Sequence, residues 1–270
     1  MAVTHLIIGA GKMGGSLLSG WLDAGIITPK SLAILDPNPA EQAQAVIKTG
    51  ALHVTELPDI PASIEVVLLG IKPQMAADIG PKIAPHIPLD ALIISILAGT
   101  SLAALQSIFG ERPIVRAMPN TPAAIGAGIT AITAKAGQDA AHLATAETLL
   151  SASGVVHRVD NEMLINAVTA VSGSGPAYIF YLCEALEAAA LKVGLDATLA
   201  PEFARQTIIG AAKLLEDSDL PPSQLRKNVT SPNGTTQAAL DELMRENGLT
   251  PLMIKTVRAA FTRAKELAKE

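Results

Sequence analysis

The stretch THLIIGAGKMGGSLLSGW, residues 4–21, joins a short apolar strand to a helix through closely spaced glycines. Gly9, Gly11 and Gly14 form the pattern G-x-G-x-x-G directly after the predicted strand. The first glycine of this pattern allows a tight turn, the second lets the backbone approach a pyrophosphate, and the third lets helix and strand pack closely. The stretch predicts a dinucleotide-binding domain of the Rossmann type, although a merely tight strand–helix turn would use the same glycines.

Three side chains extend the predicted cofactor site. Asp36 ends the second predicted strand, about 20 residues after the glycine motif, where a carboxylate accepts hydrogen bonds from the adenosine ribose and would repel a 2′-phosphate. This position favours NAD, but Asp36 can instead cap the helix that follows it. Lys12 and Met13 lie inside the glycine loop, and we assign both to the cofactor; a solvated lysine is the alternative for Lys12.

The rest of the first half alternates short β-branched runs with helical patterns. Continuous apolar strands separated by helices indicate a parallel sheet that is covered on both faces. We therefore predict an α/β doubly wound sheet with a first strand at 4–10 and further strands at 32–36, 65–71, 91–97, 113–119, 128–134 and 154–159. After about residue 160 the strand pattern is replaced by helices that end at glycines. We expect a dinucleotide-binding domain over residues 1–160 and an all-α domain over residues 161–270.

Composition excludes several classes of protein. Of the 270 residues, 49% are hydrophobic, and the net charge of −5 comes without a basic cluster, which argues against binding to nucleic acid. The single cysteine, Cys183, excludes an intrachain disulfide and a cysteine-based zinc site, so we expect no metal and a reducing, cytoplasmic location. The first residues lack the pattern of a signal peptide, and the apolar runs are too short to span a bilayer. We therefore expect no membrane partner.

Small and polar residues follow the later strands of the predicted sheet. Ligands of doubly wound sheets lie beyond the carboxyl ends of the strands, where small residues admit the nicotinamide end of a cofactor. Asn120 lies in the rigid turn MPNTPA, where it can hydrogen-bond a ligand or simply form the turn. The residues that we assign to the cofactor at these strand ends are Gly70, Lys72, Pro73, Ala98 and Asn120.

The helical half offers no proton-transfer residue of the kind that alcohol oxidation needs. All five histidines precede residue 161. Dehydrogenases of the β-hydroxyacid type have a similar layout but place a catalytic lysine after a glycine motif in the first long helix, whereas this chain reads SGSGPAYIFY there. A hydride transfer to an already polarised C=N bond needs less acid–base help and fits better.

Four segments resemble the signature segments of pyrroline-5-carboxylate reductases: GAGKMGGSL, VRAMPNTPAAIGAGIT, VSGSGPAYIFYLCEAL and NVTSPNGTTQAAL. The resemblance covers nearly the whole chain in order and spacing. It implies reduction of the cyclic imino acid 1-pyrroline-5-carboxylate to L-proline with NADPH or NADH. It further implies a helical domain that binds substrate and dimerises, homodimers that can assemble into decamers, and a substrate that faces the nicotinamide across a subunit interface.

The uncharged stretch SPNGTT, residues 231–236, is the expected substrate loop. Successive amides of a turn before a helix form an anion-binding concavity, which suits the carboxylate of the imino acid. The resemblance places the catalytic Thr236 near the imine nitrogen, while Asn233 departs from the family's usual glycine and tolerates the left-handed region better than most residues. The residues expected at the substrate are Ser172, Ser174, Gly175, Ser231, Asn233, Gly234, Thr235 and Thr236.

Purely structural roles and other functions are alternatives for these segments. In SPNGTT a threonine can act as a plain helix N-cap without a ligand. The glycines of SGSGPAY can let two helices cross closely. The rival functions are a related β-hydroxyacid or imino-acid dehydrogenase, and a sensor or assembly protein that binds the nucleotide without turnover.

Overall fold

An eight-stranded sheet carries the glycine motif in the computed structural model, which describes residues 2–268. The strands lie in the spatial order β3-β2-β1-β4-β5-β6-β7-β8. Their bounds are His5–Ile8 (β1), Leu32–Leu35 (β2), Leu52–Val54 (β3), Val66–Leu69 (β4), Leu92–Ser95 (β5), Ile114–Met118 (β6), Gly128–Ala134 (β7) and Gly154–Arg158 (β8). The chain winds outward from β1 first to one side and then to the other, as in a doubly wound sheet. The predicted fold class is confirmed.

Helices cover both faces of this sheet. They are Lys12–Asp23 (α1), Glu41–Lys48 (α2), Pro73–Ile83 (α3), Leu102–Phe109 (α4) and Ala140–Ser151 (α5). Leu6 and Ile8 of β1 belong to one apolar cluster with side chains of α3 and α4, whereas Ile7 belongs to a second cluster with side chains of α1 and α5. Successive residues of a strand point to opposite faces, so strands that are buried on both sides must be apolar throughout.

The sheet differs from the sequence prediction at both of its ends. β3 was not predicted, because this edge strand has only three residues and Leu52 is 39% exposed, so it lacks a buried apolar run. β7 runs antiparallel to β6, against the predicted parallel arrangement. The connection from Met118 to Gly128 contains only a short 3-10 helix, Thr121–Ile125, and a parallel neighbour would need a longer crossover.

The chain after β8 is helical, as predicted, but its first helix is interrupted. A short α6, Leu164–Val168, continues into a π-helix, Thr169–Gly173, where the sequence predicted one regular helix. The pattern of apolar residues does not distinguish a single π turn from an α turn. The later helices are Gly175–Lys192 (α7), Leu199–Glu216 (α8), Pro222–Asn228 (α9), Thr235–Met244 (α10) and Leu249–Leu267 (α11).

Contacts divide the chain into two units. One contains the sheet, runs as far as Ser174 and includes the chain from Ala260 onward; the other is Gly175–Ala259. The functional boundary expected after residue 160 stays a prediction. Within residues 2–268, none of the helices has the length and apolarity that a bilayer span requires.

Arg112 joins the ends of two helices to the start of β6. Its guanidinium is buried and donates hydrogen bonds to four backbone carbonyls, those of Ala84, Ile87, Pro88 and Phe109, at 2.6–3.1 Å. Carbonyls at helix ends have no partner within the helix. One planar side chain therefore joins the end of α4 to the carbonyls of residues 84–88, which follow α3.

We expect Arg112→Lys to lower the free energy of unfolding by about 2–4 kcal/mol, because a compact ammonium cannot reach all four carbonyls and leaves buried acceptors unsatisfied. Urea unfolding followed by circular dichroism measures the change. Arg245→Lys is the matched control, because Arg245 is exposed and, among residues 2–268, pairs with Glu242 at 2.9 Å and with no other acidic side chain; its effect should stay below about 0.5 kcal/mol. Equal effects of the two substitutions would contradict the role of Arg112.

Candidate active site

The glycine motif lies where β1 ends and α1 begins. Gly9 has a φ of +86°, and a Cβ atom there would lie 2.8 Å from the carbonyl carbon of Gly70. A Cβ on Gly14 would collide with the carbonyl oxygen of Gly9. Gly11 differs, because its Cβ position has no atom of the described chain within 4 Å. Packing explains two of the glycines, whereas the open space at Gly11 fits the close approach of a pyrophosphate.

The N-terminus of α1 is open to a ligand. The amides of Lys12, Met13 and Gly14 find no acceptor in the described part of the chain, and Gly11, the N-cap residue, has no side chain to cap them. Lys12 is exposed, while Met13 packs partly against the core beneath the helix. Free amides and the positive end of the helix dipole favour a phosphate at this place.

Asp36 is bound to the glycine loop. Its Oδ2 accepts a hydrogen bond from the amide of Ala10, and its Oδ1 accepts one from the amide of Asn38, both at 2.8 Å. The alternative that Asp36 caps the next helix is wrong, because α2 begins at Glu41 with Ala40 as its N-cap. Each carboxylate oxygen keeps a second lone pair, so the bonds to the backbone leave room for ribose hydroxyls.

The other predicted cofactor residues follow the carboxyl ends of neighbouring strands, a region that we call the cofactor edge. β1, β2, β4 and β5 are parallel, so their carboxyl ends share one edge. The amide of Gly70 donates to the carbonyl of Ile8 at 2.8 Å, which holds the turn after β4 against the glycine loop. Lys72 is the exposed N-cap residue of α3, Pro73 is its first residue, and Ala98 is exposed after β5.

Asn120 stabilises the turn after β6, which is the alternative to ligand binding that the sequence allowed. Its Oδ1 accepts a hydrogen bond from the amide of Ile129 at 3.0 Å, which ties the end of β6 to β7. The side chain is largely buried, with the residue 8% exposed. The Nδ2 group has no acceptor in the described chain, and Oδ1 keeps a second lone pair, so both can still contact a ligand.

The serine- and glycine-rich segment begins in the π-helix. Ser172 donates its hydroxyl to the carbonyl of Val168 at 3.1 Å, and the amide of Ser174 donates to the carbonyl of Thr169 at 2.8 Å. Gly175 starts α7, and its Cβ position has no described atom within 4 Å. Close helix crossing therefore does not explain Gly175 within the described chain. π-helical turns occur frequently at functional sites.

The loop at residues 231–236 presents free amides at the start of α10. Asn233 is the one described residue other than glycine with a positive φ, +58°, and the amide of Gly234 donates to the carbonyl of Ser231 at 3.0 Å. The N-cap residue is Gly234, so the expected alternative of a threonine cap is wrong. The amides of Thr235 and Thr236 find no acceptor among the described residues.

The predicted residues therefore form two groups. The cofactor residues, with Ser172 and Ser174, belong to the unit that contains the sheet, whereas Gly175 and the loop at 231–236 belong to Gly175–Ala259. One polar neighbour of the cofactor edge was missed by the sequence analysis: His53 on β3 hydrogen-bonds the carbonyl of Asp36 through Nε2 at 3.0 Å. No local motif marks this histidine, because the pairing of β3 with β2 brings it there.

The histidine of β1 has a structural environment. His5 Nδ1 is hydrogen-bonded with the hydroxyl of Thr4 at 2.9 Å, and its ring meets that of Trp21 edge-on, with 6.1 Å between centroids. Burial lowers the pKa of His5, an effect that the charge of Glu65 partly opposes. A buried imidazole that is held neutral in this way is suited to packing rather than to proton transfer at the strand ends.

Comparisons with known proteins agree with this architecture. Residues 162–267 match the family model described as pyrroline-5-carboxylate reductase dimerisation, and residues 5–99 match the model described as NADP oxidoreductase, coenzyme F420-dependent. Among solved structures, the pyrroline-5-carboxylate reductase of Coxiella burnetii is similar with a TM-score of 0.90 and 33% identity over 100% of both chains. The pyrroline carboxylate reductase of Plasmodium falciparum, solved with NADP bound, has a TM-score of 0.83 and 27% identity over 98% of both chains.

A curated relative extends the similarity to sequence. The pyrroline-5-carboxylate reductase of Pseudomonas aeruginosa is 41% identical over 265 residues, which cover 97% of this chain and 96% of the relative. The resemblance seen in the four sequence segments is confirmed. Identity at this level along the whole of both sequences means that the chain belongs to the pyrroline-5-carboxylate reductase family.

Proposed function

We propose that this chain reduces 1-pyrroline-5-carboxylate to L-proline by hydride transfer from NADPH or NADH, the last step of proline biosynthesis. The observation that carries the proposal is the pair of open amides at Thr235 and Thr236, which suits a small carboxylate and has no acceptor of its own in the described chain. The cofactor edge and the chain's membership of the pyrroline-5-carboxylate reductase family support the same activity.

The cofactor edge orients the dinucleotide. The free amides at the start of α1 receive the pyrophosphate, with Gly11 allowing its approach and Lys12 adding a positive charge. Asp36 holds the glycine loop and accepts from the adenosine ribose. Gly70, Lys72, Pro73, Ala98 and Asn120 line the path toward the nicotinamide end. The bound reduced nicotinamide supplies the hydride.

The substrate residues hold and orient the imino acid. The amides of Thr235 and Thr236 bind its carboxylate, whereas the amide of Gly234, which was expected to join them, donates to the carbonyl of Ser231 and closes the turn. Asn233 keeps the loop open in its left-handed conformation. The hydroxyl of Thr236 hydrogen-bonds the ring nitrogen, which carries the proton that the product amine retains. The sequence prediction also assigns Ser172, Ser174, Gly175 and Ser231 to the substrate. Because the protonated C=N carbon is already electrophilic, alignment with the hydride donor provides most of the acceleration.

The helical region also forms the homodimer. α7 has no buried residue, and Phe180, Tyr181 and Phe203 are 64%, 71% and 58% exposed. An apolar surface of this kind marks an interface, in agreement with the dimerisation model that residues 162–267 match. We propose that dimers assemble further into decamers, that residues 1–160 and 161–270 divide cofactor from substrate binding, and that the enzyme acts in the cytoplasm.

A direct assay tests the activity against its rivals. Purified protein is mixed with 1-pyrroline-5-carboxylate and with NADPH or NADH side by side, and the loss of nicotinamide absorbance and the appearance of proline are followed. Tight nucleotide binding without turnover would favour a sensor, and faster reduction of a different cyclic imine would favour another imino-acid reductase. Either result would contradict the proposal.

We expect Gly11→Ala to raise the Kd for NADPH about tenfold or more while leaving the melting temperature unchanged. The added methyl group meets open space in the protein but occupies the approach of the pyrophosphate. Titration of nucleotide fluorescence measures the Kd. Gly14→Ala is the contrast, because its collision with Gly9 should also lower the melting temperature. An unchanged Kd in Gly11→Ala would place the pyrophosphate elsewhere.

Thr236→Ala should lower kcat by about tenfold to a hundredfold, because it removes the hydroxyl that orients the ring nitrogen. The Kd for NADPH should stay within about twofold, since Thr236 does not contact the cofactor in this proposal. Thr236→Ser keeps the hydroxyl and should retain most of the activity. Steady-state kinetics of both variants measures kcat. A large rise in the Kd for NADPH in Thr236→Ala would mean that Thr236 contacts the cofactor rather than the substrate.

Asn233→Gly should keep the KM for the imine within about threefold, because glycine adopts a φ of +58° without strain. Asn233→Val should raise that KM by about tenfold, since a β-branched residue is strained there by about 1–3 kcal/mol and shifts the loop. NADPH affinity is the internal control and should not change in either variant. A wild-type KM in Asn233→Val would remove the loop from the substrate site.

A further inference from the structure

A partly buried ion pair joins β6 to the start of the segment that leads into α6, and no role has been assigned to it in binding cofactor or substrate. Arg116 stands in the middle of β6, with its side chain only 3% exposed. Its Nη1 donates to Oε1 of Glu162 at 2.6 Å, while its Nε has no partner in the described chain. A charge that is removed from water requires a counter-charge. Glu162 therefore has a fixed place opposite β6.

The same carboxylate oxygen also holds the start of α4. Oε1 of Glu162 accepts a hydrogen bond from the amide of Leu102, the first residue of that helix, at 2.7 Å. This amide has no partner within its helix, and a negative charge at a helix N-terminus is stabilised by the helix dipole. α4 begins at Leu102, shortly after Ala98, which we assign to the nicotinamide end of the cofactor.

The backbone of Glu162 begins the segment that carries the serines. Its carbonyl accepts from the amide of Ile165 at 3.0 Å, in the first turn of α6. α6 continues without a break into the π-helix that contains Ser172. One residue therefore contacts the start of α4 through its side chain and the start of α6 through its backbone.

We propose that Glu162, held in place by Arg116, is a positioning residue that sets the spacing between the nicotinamide side of the sheet and the π-helix bearing Ser172. This inference rests on the proposed function, because spacing matters only if cofactor and imine must be aligned. Small displacements of reacting groups reduce the rate strongly while affecting binding much less. A loss of Glu162 should therefore lower turnover and leave nucleotide affinity largely intact.

The chain offers a matched control for the pair. Glu147 and Arg158 also form an ion pair within the unit that contains the sheet, joining α5 to β8. Their side chains are 31% and 42% exposed, and neither has a place in the proposed cofactor or substrate site. Glu147→Gln removes the charge from this pair with the same change of side chain as Glu162→Gln.

The test compares Glu162→Gln, Glu162→Asp and Glu147→Gln with the wild-type protein. Sites that bind NADPH are titrated in each preparation, and kcat for reduction of 1-pyrroline-5-carboxylate is expressed per binding site. We expect kcat per site to fall about tenfold or more in both Glu162 variants, since glutamine loses the attraction of Arg116 and aspartate is too short to reach both partners. The Kd for NADPH should change less than about threefold, and Glu147→Gln should match wild type.

Partial unfolding would lower the number of sites and the activity together, which leaves kcat per site unchanged. A wild-type kcat per site in Glu162→Gln, whether or not the number of sites has fallen, would overturn the positioning role. If the wild-type protein failed to reduce the imine at all, the proposed function itself would fail. A double-mutant cycle of Arg116→Met and Glu162→Gln provides a second measurement. If kcat per site falls in each single variant and falls no further in the double variant, the two residues act as one unit; additive losses would contradict the proposal.

Discussion

The close approach of three backbone segments at the end of β1 is the constraint on which the cofactor edge depends. The turn at Gly9 touches the turn at Gly70, and Gly14 brings α1 against Gly9 at a distance that no side chain would allow. Asp36 then binds the amide of Ala10 and joins the end of β2 to the same point. The first turn of α1 is thereby aimed beyond the carboxyl ends of the strands, with its amides unoccupied. The packing of these three backbone segments therefore fixes the orientation of the glycine loop and of the first turn of α1.

Much of this architecture could be predicted because its causes are local in sequence. Apolar and β-branched runs identified all the described strands except β3, and the glycine spacing identified the turn into α1. β3 escaped because Leu52 is partly exposed, and the reversal at β7 escaped because strand direction depends on the length of a connection. The π-helix has the same apolar spacing as an ordinary turn, and the roles of His53 and Glu162 arise only from pairing and packing that join distant parts of the chain.

For the proposed substrate loop, the structural alternative of a threonine N-cap without a ligand is wrong. Asn233 does take a positive φ, yet Gly234 rather than a threonine precedes the helix, so both threonines enter α10 with their amides unbonded. A capping hydroxyl would have occupied one of those amides. The loop therefore combines a strained residue with unsatisfied donors, an arrangement that adds nothing to the stability of the helix and is suited to a ligand.

The exposed α7 has a consequence for the life of the molecule in the cell. α7 has 18 residues and none of them is fully buried, although the helix packs against α8. In a homodimer that covers this helix, association adds to the stability of the fold, so folding and association are coupled. Resistance to heat and to proteolysis then rises with the amount of protein made. Newly synthesised chains without a partner are the species most exposed to aggregation and degradation. At low expression the amount of assembled enzyme therefore falls for two reasons: fewer chains are made, and a smaller fraction of them is dimeric.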